Sequence, residues 1–234
     1  MIIISRPRQF GGNVYDWGKH LAVRCETTVV SVPFLYDLRA VGPTVQRLQA
    51  IDEPILLFST LSERAAYWLL KKLDIGKHEW VCVETDFTDD WTPNSETQHL
   101  IHTSSEPGVE HLDEMTVKRW YPVIDRDACV NCLECVNYCL FGVYVIGPDD
   151  SPLVDQPDAC RDGCPACARV CPQAAIMFPL HNDPDISGRT SAEAARQRMT
   201  PSNSVADQER YLHTVQTSDT KLDKLVEQID DLDW

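Results

Sequence analysis

The chain has 234 residues and a formal net charge of −15, with 21 Lys and Arg against 36 Asp and Glu. This length accommodates one ordinary domain and a small second one, and an apolar fraction of 43% supports at least one core. The acidity disfavours nucleic acid, whose binding depends on Lys and Arg displacing counterions from phosphates, and it points instead to a basic protein partner.

At the N-terminus the apolar run 1–4 precedes the arginines, the reverse of a secretory signal. No stretch approaches the roughly 20 apolar residues needed to span a bilayer, so the expectation is a soluble, unexported, cytoplasmic protein. The β-branched run 1–4 predicts a strand, broken by Phe10-Gly11-Gly12-Asn13. The stretch to Arg24 is not decisive. A strand over 27–35, a short helix over 42–51 and a continuous apolar strand over 54–58 follow. Thr60-Leu61-Ser62-Glu63 has capping-box spacing, and Ala65, Ala66, Leu69, Leu70 and Leu73 recur at helical intervals, which predicts a helix over 61–73. Residues 80–83 supply a further strand. Strands alternating with helices imply parallel pairing. The fold expected for residues 1–86 is a small three-layer α/β domain with three or four parallel strands.

Residues 87–119 turn polar, with Asp89-Asp90, Pro93, Asn94, Ser104-Ser105 and Pro107-Gly108, and are expected to form a connector. Residues 120–180 form the cysteine-rich segment, and 181–234 have the composition of a flexible tail. Within the tail Leu222, Leu225, Val226, Ile229 and Leu232 predict an amphipathic helix over about 219–232, either packed on its own chain or docked on a partner.

Eight of the ten cysteines fall in two runs. Cys129, Cys132, Cys135 and Cys139 are separated by two, two and three residues; Cys160, Cys164, Cys167 and Cys171 by three, two and three. In a secreted protein ten cysteines would suggest disulfides, but this is metal-ligand spacing and points to a reducing compartment. Soft thiolates suit iron, and two such runs are a more specific signal than a zinc ribbon would leave. The segment 121–186 is also the most acidic for its length, with three basic against ten acidic residues, either a solvated surface or a docking face.

Over residues 121–179 the chain resembles the bacterial-type two-cluster ferredoxins. The resemblance implies an α+β, (βαβ)2 iron-sulfur domain with two 4Fe-4S clusters and pseudo-twofold symmetry. It implies that Cys129, Cys132, Cys135 and Cys171 hold one cluster, while Cys139, Cys160, Cys164 and Cys167 hold the other. Val123-Ile124, 143–146, Leu153-Val154 and 175–178 match the family's strands. Two departures stand out. Leu140 follows Cys139 where the family usually has Pro, whereas Cys171-Pro172 keeps it, and the second run carries one extra residue at Asp162-Gly163. The second departure predicts inequivalent clusters.

The function implied is electron transfer, by a carrier or by an electron-transfer subunit of a larger oxidoreductase. One alternative is an enzyme whose N-terminal domain binds a substrate reduced through the clusters. Another is an adaptor or assembly subunit that docks a ferredoxin domain on a complex. No Walker loop, GxGxxG, GxSxG or HExxH is present, so no catalytic residue is assigned. The loops around Tyr36-Asp37 and Ser59-Thr60 occupy the position where open α/β sheets bind small ligands, although a helix cap explains Thr60 and Glu63 more simply. Cys25 and Cys82 read as buried structural thiols, and His99 and His102 as a surface pair.

Overall fold

The structure, a computed structural model, describes residues 1–8, 13–88 and 90–199. The helix expected at about 219–232 lies outside the described residues. Residues 1–196 form one compact unit, to which the α/β layer and the cysteine segment both belong.

Strand β1 (Ile2–Ser5) is the middle of a five-stranded sheet. Helix α1 (Asn13–Arg24) leads to β2 (Thr28–Val32), α2 (Pro43–Gln49) to β3 (Ile55–Ser59), and α3 (Glu63–Lys72) to β4 (Trp80–Glu84). A fifth strand, β5 (Gly108–His111), pairs with β2, giving the order β4-β3-β1-β2-β5 with every pairing parallel. The sheet thus has one strand more than the sequence pattern suggests. The extra strand comes from the stretch expected to be a connector, whose loop also buries Phe87 and Leu100.

Side chains alternate across the strands, as a period of two requires. Ile2 and Ile4 point into a core with Val14, Trp17, Leu21 and Phe58, beneath α1. Ile3 points the other way, into a core with Val45, Leu48, Ala65, Ala66 and Leu69, beneath α2 and α3. Helices therefore cover both faces, and the connections leaving β1 and β3 start toward opposite faces. In such sheets the crevice between those two strand ends is the usual ligand position.

Here both candidate loops are already engaged. The Tyr36 ring stacks on Tyr121 at 4.3 Å, Tyr121 N–H donates to the Tyr36 hydroxyl at 2.7 Å, and Tyr36 O–H donates back to the Tyr121 carbonyl. Asp37 is paired with Arg8 and accepts from Arg119 N–H at 3.0 Å. At the end of β3, Arg189 donates to the Thr60 carbonyl at 3.4 Å and pairs with Glu84 at 2.9 Å. A polar cavity of about 300 Å³ remains at the ends of β1 and β2, where Arg6 pairs with Asp113 and Arg8 with Asp37.

The cysteine segment comprises β6 (Val123–Ile124), α4 (Glu134–Tyr138), β7 (Tyr144–Ile146), β8 (Pro152–Val154), α5 (Ala166–Val170) and β9 (Ile176–Met177). β6 pairs antiparallel with β9 and β7 with β8, so two βαβ halves face each other. Tyr121, Val123 and Met177 enter the same apolar core as α2 and α3. The two parts therefore share a core rather than meeting across a linker.

Two further helices follow where a tail was expected: α6 (Pro184–Ser187) and α7 (Ala192–Met199). Gly188 closes α6 at φ 84°, and a Cβ there would lie 2.5 Å from Met177 Sδ, so both the backbone and the packing call for glycine.

Candidate metal centre

The first cysteine loop starts from Asp125. Its Oδ1 accepts N–H bonds from Asp127 and Ala128, both at 3.1 Å, and its carbonyl accepts from Cys129 N–H at 3.1 Å. Its other oxygen pairs with Arg64 of α3 at 2.7 Å. Arg64 also donates to the Ala174 carbonyl at 2.8 Å, just beyond the last cysteine. One guanidinium therefore ties the opening and the closing of the cysteine segment to the α/β layer.

Between Cys129 and Cys135 the chain coils tightly, with Asn131 at φ 55° and Leu133 at φ 61°. Side chains of non-glycine residues rarely tolerate this region, and such strain gathers at functional sites. In the second run the extra residue is accommodated by Gly163 at φ 73°.

Each short helix then straddles two sites. Cys135 lies in α4 and Cys139 is its C-cap; Cys167 lies in α5 and Cys171 is its C-cap. Residues four apart share a helix face. Nevertheless the two members of each pair line different cavities. Cys129, Cys132, Cys135 and Cys171 line one cavity with Ile124, Leu133, Pro152 and Ile176. Cys139, Cys160, Cys164 and Cys167 line another, of about 240 Å³, with Pro122, Phe141, Val143 and Tyr144. Each cavity thus gathers four cysteines, three from one run and one from the other.

None of the ten cysteines is joined in a disulfide. Burial first, then the nearby Cys167, Cys171 and Cys129, pushes the Cys135 thiol up to about 12. Burial, then Cys164, Cys139 and Asp162, does the same for Cys160, again to about 12. Cys167 rises to about 12 through burial and its neighbours Cys160, Cys139 and Cys164, against an opposing contribution from the Tyr144 hydroxyl. For Cys171, burial raises the thiol, and backbone N–H groups of Ala175 and Gln173 oppose the rise. Ala175 N–H reaches the Cys171 sulfur at 3.4 Å. Crowded, buried sulfurs of this kind hold their protons unless a cationic core sits among them.

Among the described residues no group of three or more Cys, His, Asp or Glu side chains could hold a metal ion. Tetrahedral zinc requires four ligands converging at about 2.3 Å on one point. A cube of four irons requires one thiolate at each of four separated corners, within apolar walls. The donor set, soft sulfur throughout among largely apolar walls, has the chemistry that iron-sulfur ligation calls for.

Cys132 is exposed, so the first cavity meets solvent at that corner, and Leu140, at 91% exposure, stands beside the second. Cys25 and Cys82 are buried and line neither cavity. His99 pairs with Glu79 at 3.1 Å on the surface. Two further features leave no trace in the sequence pattern. One is the role of Arg64. The other is a cleft of about 710 Å³ between α3 and the first cysteine loop, with Tyr67, Trp68, Asp127 and Val130 among its walls. Both depend on how α3 docks. No helix among the described residues is long and apolar enough to cross a membrane.

No protein-family model matches the chain. An uncharacterised ferredoxin of Methanocaldococcus jannaschii is 39% identical over 61 residues, which cover 26% of this chain and 41% of that protein. The chain thus spans about two fifths of that relative's length, and it contains a ferredoxin-like segment.

Proposed function

We propose that the chain carries electrons through two 4Fe-4S clusters, as a ferredoxin-like carrier or as the electron-transfer subunit of a larger oxidoreductase. The supporting observation is that two separate cavities each gather four cysteines, three from one run and one from the other. On this reading Cys129, Cys132, Cys135 and Cys171 hold one cluster and Cys139, Cys160, Cys164 and Cys167 the other. When bound, such clusters supply one-electron chemistry. The protein's own contribution is physical. Largely apolar walls limit the water around the sulfurs, the N–H of Ala175 offers a hydrogen bond to the Cys171 sulfur, and α4 and α5 each give one cysteine to either cavity, which holds the two sites close together. The acid-rich segment favours a partner with a basic docking face.

Protein purified under argon should contain about eight irons and about eight sulfides per chain and show a broad visible band that dithionite bleaches. Colourless protein that retains zinc would overturn the proposal. Cys171→Ala should lose about half of the iron, because it removes a corner of the first site alone.

The 710 Å³ cleft beside the first cysteine loop favours a second reading, in which a small substrate is reduced there. Reoxidation of dithionite-reduced protein that requires a basic acceptor protein, and that no small-molecule oxidant drives by saturable binding, would remove it.

A further inference from the structure

Among the described residues one buried side-chain polar atom makes no well-formed hydrogen bond, the Tyr144 hydroxyl, although the Cys167 thiol lies near enough to interact with it. Leaving a buried hydroxyl unpaired costs about 1–3 kcal/mol, so this atom needs an acceptor. Tyr144 opens β7, and its side chain lines the cavity of Cys139, Cys160, Cys164 and Cys167. It is 7% exposed, and it lines the cavity beside Cys139 and Cys167, its titratable neighbours being sulfurs, Cys167 ahead of Cys135 and Cys139. A protonated thiol is a poor acceptor, whereas a metal-bound thiolate is a good one.

We propose that the Tyr144 hydroxyl donates a hydrogen bond to the Cys167 thiolate once the second cluster is bound, and that this bond sets the reduction potential of that cluster. The inference rests on the iron-sulfur reading above. An O–H pointed at a ligand sulfur withdraws electron density from it. The bond strengthens when the cluster takes up one electron and its negative charge grows, so it favours the reduced state. Tyr144 touches a ligand rather than reacting, which makes it a positioning residue. The first site lacks an equivalent phenol: its cavity is walled by Ile124, Leu133, Pro152 and Ile176 around the cysteines.

Tyr144→Phe keeps the ring and removes the donor. In anaerobic redox titrations monitored by electron paramagnetic resonance, this variant should keep its iron and shift one of its two reduction steps to more negative potential. The expected size is on the order of a tenfold loss in the one-electron equilibrium constant, about 59 mV. Replacing Tyr144 with 3-fluorotyrosine, whose phenol is the stronger donor, should move the same step the other way. This second variant decides the matter if Tyr144→Phe fails to load. Iron-loaded variants whose two potentials both match those of the parent protein, or a shift confined to the cluster that Cys171→Ala removes, would overturn the inference. A parent protein without iron and sulfide would instead sink the underlying reading, so the two failures are distinguishable.

Discussion

Asp125 has separate roles for its two carboxylate oxygens. Oδ1 organises the start of the cysteine loop by accepting from Asp127 and Ala128, while Oδ2 pairs with the largely buried Arg64 at 2.7 Å. Asp125→Asn keeps an acceptor for the turn but removes the charge that balances the guanidinium. Asp125→Ala removes both. Breaking a buried pair from one side costs about 3–5 kcal/mol, and the lost turn adds about 1 kcal/mol, so chemical denaturation should rank the parent above Asp125→Asn and Asp125→Ala last. Equal stability of the two variants would show that the turn bonds contribute nothing.

Cys82 makes a different residue-scale prediction. Burial, with Glu63 adding to it, pushes its thiol well above the usual value. The unfolded chain releases that proton near about 8.5, so above that pH the folded state holds more protons and stability falls as pH rises. Below it the thiol is protonated in both states and contributes no slope. Urea midpoints measured at pH 8 and pH 10 should therefore fall less in Cys82→Ala than in the parent protein.

At the scale of elements, the link between the turn after β2 and the entry to β6 depends on a reciprocal tyrosine pair. The Tyr36 hydroxyl accepts from Tyr121 N–H at 2.7 Å, and the Tyr121 hydroxyl donates to the Tyr36 carbonyl at 3.0 Å. Both residues are fully buried. Tyr36→Phe preserves the stacking but strands the Tyr121 backbone N–H, at an expected cost of about 1–3 kcal/mol. Tyr121→Phe should cost less, because a carbonyl with two lone pairs is more easily satisfied than an N–H. Differential scanning calorimetry on both variants tests the order.

None of this pairing was legible in the sequence, where Tyr36 looked like a loop residue near a possible ligand site. β5 was missed for a related reason: Gly-Val-Glu-His is too short and too polar to announce an edge strand, and only its position against β2 makes it one. α1 was obscured by Gly18 and by charged residues between its core positions Val14, Trp17 and Leu21. By contrast, the strands of the inner sheet and α3 could be read because their apolar positions follow the period of the element. The two cysteine runs could be recognised because ligand spacing is local, whereas their division into two sets of four came from the resemblance to two-cluster ferredoxins, since spacing does not say which run completes which site.

At the scale of the whole molecule, charge governs encounter. On the proposed carrier role, a chain with a formal charge of −15 whose acids concentrate around the proposed clusters, three basic against ten acidic residues over 121–186, would draw a cationic partner toward the region where electrons leave. The proposed carrier role gives this a kinetic consequence. Reduced protein mixed in stopped flow with a basic cytochrome c should transfer electrons at a second-order rate that falls on the order of tenfold as ionic strength rises from about 0.01 M to about 0.15 M, because the Debye length shrinks from about 30 Å to about 8 Å. A neutral small oxidant lacks that long-range attraction, so its rate should stay nearly flat over the same range. If both rates respond alike, the acidic surface does not steer partners and serves only to keep the protein solvated. If the cytochrome rate alone falls, substituting Asp149 and Asp150, both exposed in the turn between β7 and β8, by asparagine should lower its low-salt value while leaving the neutral oxidant unchanged.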